Sequence, residues 1–388
     1  MSKKLTKKEK QKLNKIATKN WKVTVASILV VVIVLPIAYF MGWFDKLFKD
    51  DEPTLSTAGG YSTEVTQLKD LEVNFLNVGQ GDCIIIELPD KKTMIIDSGE
   101  NSSAKQEIID FTEENNITVF DYVILTHQDS DHAGNMSWVI DNYECKYIFR
   151  PNNYSSHDNS STLPAEFNTQ TDGGYVSSTK TYSKFMLSSY NEKCPVEIFN
   201  KDSDFSNEII YNGNSYKYSF NFLTPTADRD KIVYGDPNNY SPIMMLEYAG
   251  KKVMFTGDAE EDNIEEYVTT YGNQHDIDVL KVGHHGSENA TTLDFITSID
   301  PEYAVIQCGA GNKYGHPHQE TLDIFGNHEG GVTIYRTDTN GLITLNIPQN
   351  NDFSFDMEND ECSNNYVAGI KFKPSYNNYI DHRKLLVA

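Results

Sequence analysis

Short apolar runs separated by turn residues recur along the chain from residue 71 to residue 347. Runs rich in Val, Ile, Phe and Tyr that are bounded by Gly, Pro, Asn or Asp are typical of β-strands. Predicted strands cover 71–78, 83–88, 92–97, 120–126, 146–149, 218–225, 242–250, 252–258, 277–285, 302–309, 332–338 and 341–347. Segments with helical periodicity alternate with them at 104–116, 135–143, 260–272 and 319–327. This alternation predicts a layered α/β domain spanning residues 68–348.

Polar segments interrupt and flank this pattern. Residues 151–218 are rich in Ser, Asn, Thr and Tyr, and we interpret them as an insertion or lid with a helix near TYSKFMLSSY (181–190). A solvated loop is the alternative for this segment. Residues 45–67 suit a linker, and residues 349–388 form a C-terminal extension for which the pattern predicts no structure.

An uncharged apolar run, VTVASILVVVIVLPIAYFMGWF (23–44), precedes the domain. As a helix it would extend roughly 33 Å, which matches a hydrocarbon core of about 30 Å. The alternative is a cleaved signal peptide, whose apolar region is shorter and is followed by a small-residue cleavage site. Residues 1–22 carry nine lysines and one acid, Glu9, which predicts a cytoplasmic N-terminus. We therefore expect a single-pass anchor in the cell membrane, with the large domain outside the cell.

The charge of the remaining chain limits the class of partner. The formal net charge of the whole chain is −23, and residues 1–22 contribute +8, so the rest carries −31. Such a body is soluble and does not attract polyanions through its bulk charge. The five cysteines contain no C-x-x-C pair, which favours buried or free thiols and leaves a bridge between Cys145 and Cys194 open.

Acids and histidines stand at the ends of several predicted strands. Four of these strands end at Asp97, His127, Asp258 and His284. A rigid strand can aim a short side chain, although one such ending alone carries little weight. The segment LTHQDSDHAGN (125–135) adds the spacing H-x-D-x-D-H, whose imidazoles and carboxylates suit divalent cations. Together these positions predict a metal site.

The ordered motifs resemble those of the metallo-β-lactamase superfamily, and most closely the metallo-β-lactamase domain of ComEC-type DNA-uptake proteins. The shared segments are FLNVGQGD (75–82), MIIDSG (94–99), LTHQDSDHAGN (125–135), FTGD (255–258), VLKVGHHGS (279–287), GHPHQE (315–320) and RTDTNG (336–341). The resemblance implies an αββα sandwich with its metal site at one edge, preceded here by one N-terminal transmembrane helix. The motifs do not include the multi-span channel of that branch, so we do not expect this chain alone to translocate DNA.

The resemblance also implies a role for each site residue. The implied metal ligands are His127 and Asp129 at a first position, Asp131 and His132 at a second, and Asp258 as the bridge between them. His284, which ends its predicted strand, is favoured to complete the second position, with His285 as the alternative. Asp97 would orient a ligand histidine or the ligand loop.

The first metal position departs from the wider superfamily in two places. Asp129 stands where the superfamily has histidine, and the stretch PNNYSPIMML (237–246) lacks a third histidine. Asn238, Asn239 and Ser241 are residue types usual there in the ComEC branch. Replacing imidazole by oxygen favours hard cations such as Mn²⁺, whereas the second position suits Zn²⁺ or Mn²⁺. We therefore expect one or two ions, with the first position the weaker.

Further candidate residues lie outside the metal ligands. In GHPHQE, His316 and His318 precede a predicted helix, whose N-terminus would favour an anion. His318 is the candidate catalytic residue that holds a phosphate or donates a proton to a leaving group, and a surface capping loop is the alternative. Asp82 is a candidate cleft residue, and Ser287 and Lys281 are candidate phosphate contacts.

The implied reaction is phosphodiester hydrolysis by a metal-bound hydroxide, because a divalent cation lowers the pKa of water to about 7. Asp131 is the candidate catalytic residue that orients or deprotonates the attacking water. A ComEC-like extracellular nuclease is the first hypothesis, although the acidic body opposes the phosphate neutralisation on which DNA binding depends. The alternatives are an envelope phosphodiesterase for small or teichoic-acid-like phosphoesters and a non-catalytic, metal-dependent nucleic-acid-binding protein. β-Lactam hydrolysis is disfavoured because the first position has too little imidazole.

Overall fold

The computed structural model describes residues 61–157, 162–168, 174–228, 231–232, 234–329, 331–350, 352–359 and 365–369. The predicted cytoplasmic segment 1–22 and the predicted transmembrane segment 23–44 lie outside these residues. Within the described part of the chain, no helix combines the length and the apolar character needed to cross a membrane.

The strands and helices of the described residues are numbered along the chain. The strands are β1 (Tyr61–Glu64), β2 (Leu71–Phe75), β3 (Ile84–Glu87), β4 (Thr93–Ile96), β5 (Val119–Phe120), β6 (Tyr122–Ile124), β7 (Glu144–Cys145), β8 (Ile148–Arg150), β9 (Asn153–Ser155), β10 (Tyr175–Ser177), β11 (Val196–Ile198), β12 (Phe205–Tyr211), β13 (Asn214–Phe222), β14 (Met244–Tyr248), β15 (Lys251–Phe255), β16 (Val279–Lys281), β17 (Tyr303–Ile306), β18 (Thr333–Arg336), β19 (Ile343–Ile347) and β20 (Ser354–Met357). The α-helices are α1 (Ser102–Glu114), α2 (Ser130–Ala133), α3 (Met136–Asn142), α4 (Lys180–Glu192), α5 (Glu261–Tyr271), α6 (Leu293–Ile299), α7 (Gln319–Asn327) and α8 (Thr337–Asn340). Two 3₁₀ turns span Pro237–Tyr240 and Gly283–Gly286.

Two large sheets contain most of these strands. The first sheet has the order β11-β8-β6-β4-β3-β2-β19-β20, and the second has the order β1-β12-β13-β14-β15-β16-β17-β18. In the first sheet β4, β6, β8 and β11 are parallel neighbours. In the second sheet β15, β16, β17 and β18 are parallel neighbours. The other half of each sheet is mainly antiparallel.

The two sheets pack face to face, and helices cover the outside of each. Ile84 and Ile86 of β3 lie in a core shared with Phe220 and Leu246 of the second sheet. Ile85, between them, points to the opposite face and packs with residues of α1, α3 and α4. Both faces of β3 are therefore covered, which explains its continuous apolar sequence. A third core lies between the second sheet and α5, α6 and α7, which confirms the predicted αββα sandwich.

Parts of the segment 151–218, interpreted from sequence as an insertion, belong to the sandwich. β11 pairs with β8 in the first sheet, and β12 lies between β1 and β13 in the second. α4 buries Tyr182, Phe185 and Met186 in the core outside the first sheet. Spaced apolar residues are sufficient here, because an element with one covered face needs only its inward positions to be apolar. Likewise β20, from the C-terminal extension, adds an edge strand to the first sheet.

The described cysteines are free thiols. Cys83, Cys145 and Cys308 are buried, and Cys194 is half-buried. No bridge joins Cys145 to Cys194 in this structure. Burial, with Glu192 nearby, raises the pKa of the Cys194 thiol to about 11, which makes it a poor nucleophile near neutral pH.

Parallel pairing brings the carboxyl ends of several strands to one edge of the sandwich. β4 and β6 end there in the first sheet, and β15, β16 and β17 end there in the second. The loops that follow these strands carry every residue assigned above to a metal position. Contacts between the loops of the two sheets form the candidate metal centre.

Candidate metal centre

The H-x-D-x-D-H loop follows β6, and Asp97, after β4, fixes its position. One carboxylate oxygen of Asp97 accepts the Thr126 N–H (2.9 Å). The other accepts the Thr126 hydroxyl (2.7 Å) and lies 2.8 Å from Nδ1 of His132. Because a carboxylate accepts and does not donate, neutral His132 carries its proton on Nδ1 and directs the lone pair of Nε2 into the site.

Two side chains lie close to Nε2 of His132, and Asp131 lies close to the second of them. Oδ2 of Asp258 is 3.1 Å away, and Nε2 of His285 is 3.4 Å away. Nε2 of His285 also lies 3.4 Å from Oδ2 of Asp258 and 3.4 Å from Oδ2 of Asp131. Two imidazole nitrogens and two carboxylate oxygens so arranged form a donor set for a divalent cation. We call Asp131, His132, Asp258 and His285 the second-position set.

His285 belongs to this set, although the sequence favoured His284 as the residue that ends the strand. β16 ends earlier, at Lys281, and both histidines have left-handed backbone conformations, with φ of 44° and 54°. The turn directs His285 into the core, where its Nδ1 lies 3.0 Å from the Gln307 carbonyl oxygen. Donation to that carbonyl leaves the Nε2 lone pair free for a cation, so the geometry favours the alternative, His285.

The neighbouring His284 lies at the mouth of the site. Its side chain is 24% exposed, and its Nδ1 lies 2.7 Å from Oε1 of Glu260. Its Nε2 lies 3.8 Å from Oδ2 of Asp258. Burial opposes ionisation of this ring, but Asp258 and Glu260 outweigh burial and raise its pKa. The ring therefore presents an N–H donor toward the solvent-accessible side of the metal positions.

The first position forms around Nε2 of His127, which is buried and has no hydrogen-bond partner among the described residues. Oδ2 of Asp129 and Oδ2 of Asp258 each lie 4.0 Å from it. Oδ1 of Asp258 is likewise buried without a hydrogen bond in the described part of the chain. The Ser241 hydroxyl supports both residues, since it lies 3.2 Å from Nδ1 of His127 and accepts the Asp258 N–H (3.1 Å). Buried polar atoms without partners are costly, and a cation between these donors would satisfy both. The residues present therefore fit a metal ion.

The charges of the site compensate one another. Burial alone would lower the pKa of His285, but Asp258 and Asp131 face the ring and raise its pKa to about 10. Burial alone would raise the pKa of Asp258, but the surrounding histidines, first of all His132, hold it well below its usual range. Burial and the charge on His132 lower the pKa of His127 to about 4. Protonated histidines thus balance the carboxylates in the metal-free site, and a cation must displace these protons to bind.

Asp82 belongs to the same buried cluster but lies behind the histidine rings. Asp82, His132, Asp258 and His285 offer ligand atoms within 4.8 Å of one another. Asp82 faces Nδ1 of both rings, at 3.2 Å for His285 and 3.9 Å for His132, whereas the second-position set uses Nε2. Lys281, expected from sequence to contact phosphate, is fully buried and pairs with Asp82.

The GHPHQE loop brings the His316 ring beside the mouth of the site. His316 is buried, and its ring centroid lies 5.3 Å from that of His284. Burial and the charge of the neighbouring histidines lower the pKa of His316 to about 3. Both ring nitrogens of His318 have protein contacts, because Nδ1 accepts the Glu288 N–H (3.1 Å) and Nε2 lies 3.4 Å from the Tyr314 carbonyl oxygen. These contacts do not favour His318 as a proton donor to substrate.

The remaining sequence candidates lie around this mouth. Ser287 is buried, and its hydroxyl oxygen accepts a hydrogen bond from the Asn289 N–H, with 3.5 Å between the nitrogen and the oxygen. Asn238 places its amide nitrogen 3.5 Å from Oε1 of Glu260. Asn239 accepts the Glu260 N–H (3.0 Å) and so supports the start of α5 rather than the metal positions.

The glycine-rich corner GQGD contacts the H-x-D-x-D-H loop directly. A Cβ at Gly81 would lie 2.3 Å from the Asp131 carbonyl oxygen, and its φ of +137° also favours glycine. The Asp82 N–H donates to the same carbonyl (3.2 Å). Sequence reasoning missed this contact, and it missed Glu260 and Gln307 beside the two adjacent histidines. The one available signal was that Glu260 closely follows the FTGD segment.

Comparison with known proteins places this site in context. A family model described as the metallo-beta-lactamase superfamily matches residues 76–310. The chain is similar to ComE operon protein 3 of Bacillus subtilis (strain 168), with 28% identity over 291 residues that cover 70% of this chain and 32% of that protein. It is also similar to Recombination protein 2 of Haemophilus influenzae (25% identity; 72% of this chain and 29% of that protein) and to Competence protein ComA of Neisseria gonorrhoeae (24% identity; 74% and 34%). The similarity thus spans about a third of the length of these relatives.

Proposed function

Because the chain belongs to the metallo-β-lactamase superfamily, whose members are generally metal-dependent hydrolases, we propose that it is a metal-dependent phosphodiesterase and, more specifically, a nuclease that acts on DNA. The observation that carries the proposal is a pair of adjacent donor sets that share Asp258. His127, with its unpartnered Nε2, lies on one side of this carboxylate, and His132 and His285 lie on the other.

The donor atoms select the class of cation. The first position offers one imidazole, from His127, and the carboxylates of Asp129 and Asp258, so it favours Mn²⁺. The second-position set offers two imidazoles and two carboxylates, which suits Zn²⁺ or Mn²⁺. Cations held there would lower the pKa of a bound water to about 7 and neutralise charge on phosphoryl oxygens.

Two side chains of the site act on water and phosphate. Asp131 orients the attacking water, because its carboxylate is 24% exposed at the mouth of the site. Burial opposes its ionisation, but His285 and His132 outweigh burial and lower its pKa, so it remains an acceptor for a water proton. His284 donates from Nε2 to a phosphoryl oxygen while Glu260 holds its Nδ1. This role replaces the one expected from sequence for His318.

Two further considerations support the proposed substrate and location of the domain. Relatives named for competence and recombination support DNA as the substrate. The apolar run 23–44 and the lysines before it support a single-pass anchor, with a cytoplasmic N-terminus and the catalytic domain outside the cell. The proposed enzyme would then meet DNA at the cell surface.

A second candidate function is supported by the charge of the domain. The net charge of −31 outside residues 1–22 opposes binding of a long polyanion but affects a small phosphodiester less. An envelope phosphodiesterase that acts on small or teichoic-acid-like esters is therefore the alternative. A metal-dependent protein that binds nucleic acid without cutting it is the third outcome to be distinguished.

One assay on the full chain, purified in detergent, distinguishes these functions. Bound metal is measured, and linear DNA is compared with bis-p-nitrophenyl phosphate in Mn²⁺ and in Zn²⁺. DNA cleavage supports the nuclease, cleavage of the small ester alone supports the envelope enzyme, and DNA binding without hydrolysis supports the binding protein.

Substitution of Asp131 tests the assigned chemistry in the same assay. Asp131→Ala should lower turnover roughly 10²- to 10⁴-fold, the usual contribution of a group that assists proton transfer. Asp141→Ala, at an exposed carboxylate on α3, is the matched control and should keep full activity. Equal turnover in the Asp131→Ala variant and the wild type would reject the role given to Asp131.

A further inference from the structure

A buried ion pair joins the two sheets directly behind the metal centre. Lys281 is the last residue of β16 in the second sheet, and Asp82 lies in the corner between β2 and β3 of the first. Nζ of Lys281 contacts Oδ2 of Asp82, and the two side chains are 0% and 2% exposed. A buried charge pair of this kind seldom adds stability over apolar residues of the same volume, so its presence at the site calls for another role.

Asp82 contacts three of the loops that form the site. Its N–H donates to the Asp131 carbonyl oxygen (3.2 Å), and its carbonyl oxygen accepts the Gly99 N–H (2.9 Å). Its Oδ1 lies 3.2 Å from Nδ1 of His285. Asp82 therefore connects the H-x-D-x-D-H loop, the loop after β4 and the loop that carries His285.

We propose that Asp82 and Lys281 form a positioning pair, in which the Asp82 carboxylate holds Nδ1 of His285 so that Nε2 faces the second metal position. The inference rests on the proposed metal-dependent function. The Gln307 carbonyl oxygen, 3.0 Å from the same Nδ1, accepts its hydrogen bond and fixes the rotation of the ring. Oδ1 of Asp82 has no hydrogen-bond partner among the described residues, so its negative charge acts on the nearby Nδ1 and favours the proton on that nitrogen over Nε2.

Lys281 has its own part in this arrangement. Its ammonium group donates a hydrogen bond to Oδ2 of Asp82, and its Nζ lies 3.4 Å from the Gly257 carbonyl oxygen. Gly257 directly precedes Asp258, so Lys281 touches the backbone beside the bridging carboxylate. By neutralising Asp82, Lys281 keeps this carboxylate behind the rings and disfavours its binding a cation in place of Asp131 or Asp258.

The test separates positioning from simple structural support. Removal of one member of a buried pair leaves an uncompensated charge and destabilises the fold, whereas replacement of both by apolar residues removes that penalty. The double variant Asp82→Leu with Lys281→Met should therefore unfold, in EDTA, at a temperature close to that of the wild type. Its Mn²⁺ affinity, measured by calorimetry on the full chain, should nevertheless fall roughly 10- to 100-fold, as is usual when a residue that orients a metal ligand is lost.

Two further variants keep the result interpretable. Lys251→Met is the matched control, because Lys251 pairs with Asp278 at the opposite end of β15 (2.8 Å), and this variant should bind Mn²⁺ like the wild type. Asp82→Asn keeps the side-chain volume and the backbone contacts, and it decides the question if the double variant does not fold. It should also lose roughly 10- to 100-fold in Mn²⁺ affinity.

The outcomes for the positioning pair and for the proposed function are distinct. Wild-type Mn²⁺ affinity in a folded double variant, or in Asp82→Asn, would overturn the positioning role and leave the proposed function intact. A wild-type protein that binds Mn²⁺ but cleaves neither DNA nor the small ester would overturn the proposed function, and the affinity comparison would still decide the role of the pair. Absence of Mn²⁺ and Zn²⁺ binding by the wild type would overturn both.

Discussion

Asp97 determines which nitrogen of neutral His132 carries the proton, and the substitution Asp97→Asn perturbs this with little change in volume. The carboxylate of Asp97 accepts the Thr126 N–H and hydroxyl and lies 2.8 Å from Nδ1 of His132. An asparagine amide can keep the bond from the Thr126 N–H but presents its own N–H₂ group to Nδ1. The ring then accepts at Nδ1 and carries its proton on Nε2, where the proton blocks the metal-binding lone pair.

Both effects of this substitution have an expected magnitude. Loss of a hydrogen bond to a charged group predicts a decrease of about 1.5–3 kcal/mol in the unfolding free energy of the metal-free protein. The blocked Nε2 of His132 predicts Mn²⁺ binding weaker by roughly 10- to 100-fold, or about 1.4–2.8 kcal/mol. The affinity loss should therefore be visible in a variant that remains folded.

Denaturant unfolding in EDTA and Mn²⁺ calorimetry on the full chain measure the two quantities. Asp141→Asn, at an exposed carboxylate on α3, is the matched control and should change neither. Wild-type Mn²⁺ affinity in the Asp97→Asn variant would refute the reasoning, because it would show that Asp97 does not decide which nitrogen of His132 carries the proton.

Three further predictions address the fold, the charges and the substrate side of the site. Gly81→Ala should lower the unfolding free energy by at least ~1–3 kcal/mol, because the backbone conformation of Gly81 is strained for alanine and the added Cβ would meet the Asp131 carbonyl oxygen. Gly235→Ala is the control, because a Cβ there meets nothing within 4 Å, and its unfolding free energy should stay within about 0.5 kcal/mol of the wild type. The pKa of His285 is raised to about 10 from an ordinary 6.5, so its contribution to the stability of the metal-free protein is complete below pH 6.5 and is lost as the pH rises toward 10. The melting temperature in EDTA should accordingly fall, and Mn²⁺ affinity should rise, between about pH 7 and pH 9; a pH-independent affinity would contradict this. His284→Ala should keep Mn²⁺ affinity and lose turnover, whereas His285→Ala should lose Mn²⁺ affinity; the reverse pattern would return the ligand role to His284.

Features that depend on contiguous residues were predictable from the sequence, whereas features that depend on contacts between distant residues were not. The run CIIIEL (83–88) predicted a strand, and its continuous apolar residues agree with a strand whose two faces are enclosed by a sheet and by helices. The H-x-D-x-D-H segment likewise predicted a metal loop because its spacing is local. Which of His284 and His285 points into the metal centre was not predictable in this way. Both residues have left-handed backbone conformations, and this reverses the directions expected of their side chains.

The remaining differences have a similar physical cause. Lys281 resembled a phosphate contact because its partner, Asp82, comes from the other sheet and from a distant part of the chain. Residues 151–218 resembled an insertion because polar residues share the buried positions of β12 and α4 with the apolar ones. Asn207, Ser183, Ser188 and Ser189 are all buried, so the apolar periodicity of these elements is weak in the sequence. The predicted segments 1–22 and 23–44 lie outside the described residues, and the anchor stays a prediction.

The position of β19 has a consequence for synthesis of the chain. β19 pairs with β2, so that a strand from near the C-terminal end of the domain covers the edge of a strand from its beginning. While the ribosome is still translating the residues between them, β2 presents an unpaired and largely apolar edge. Such an edge is a template for association with other chains until β19 emerges. Expression at low temperature or with a chaperone that shields open strands should therefore increase the yield of soluble protein more than any change to the metal centre.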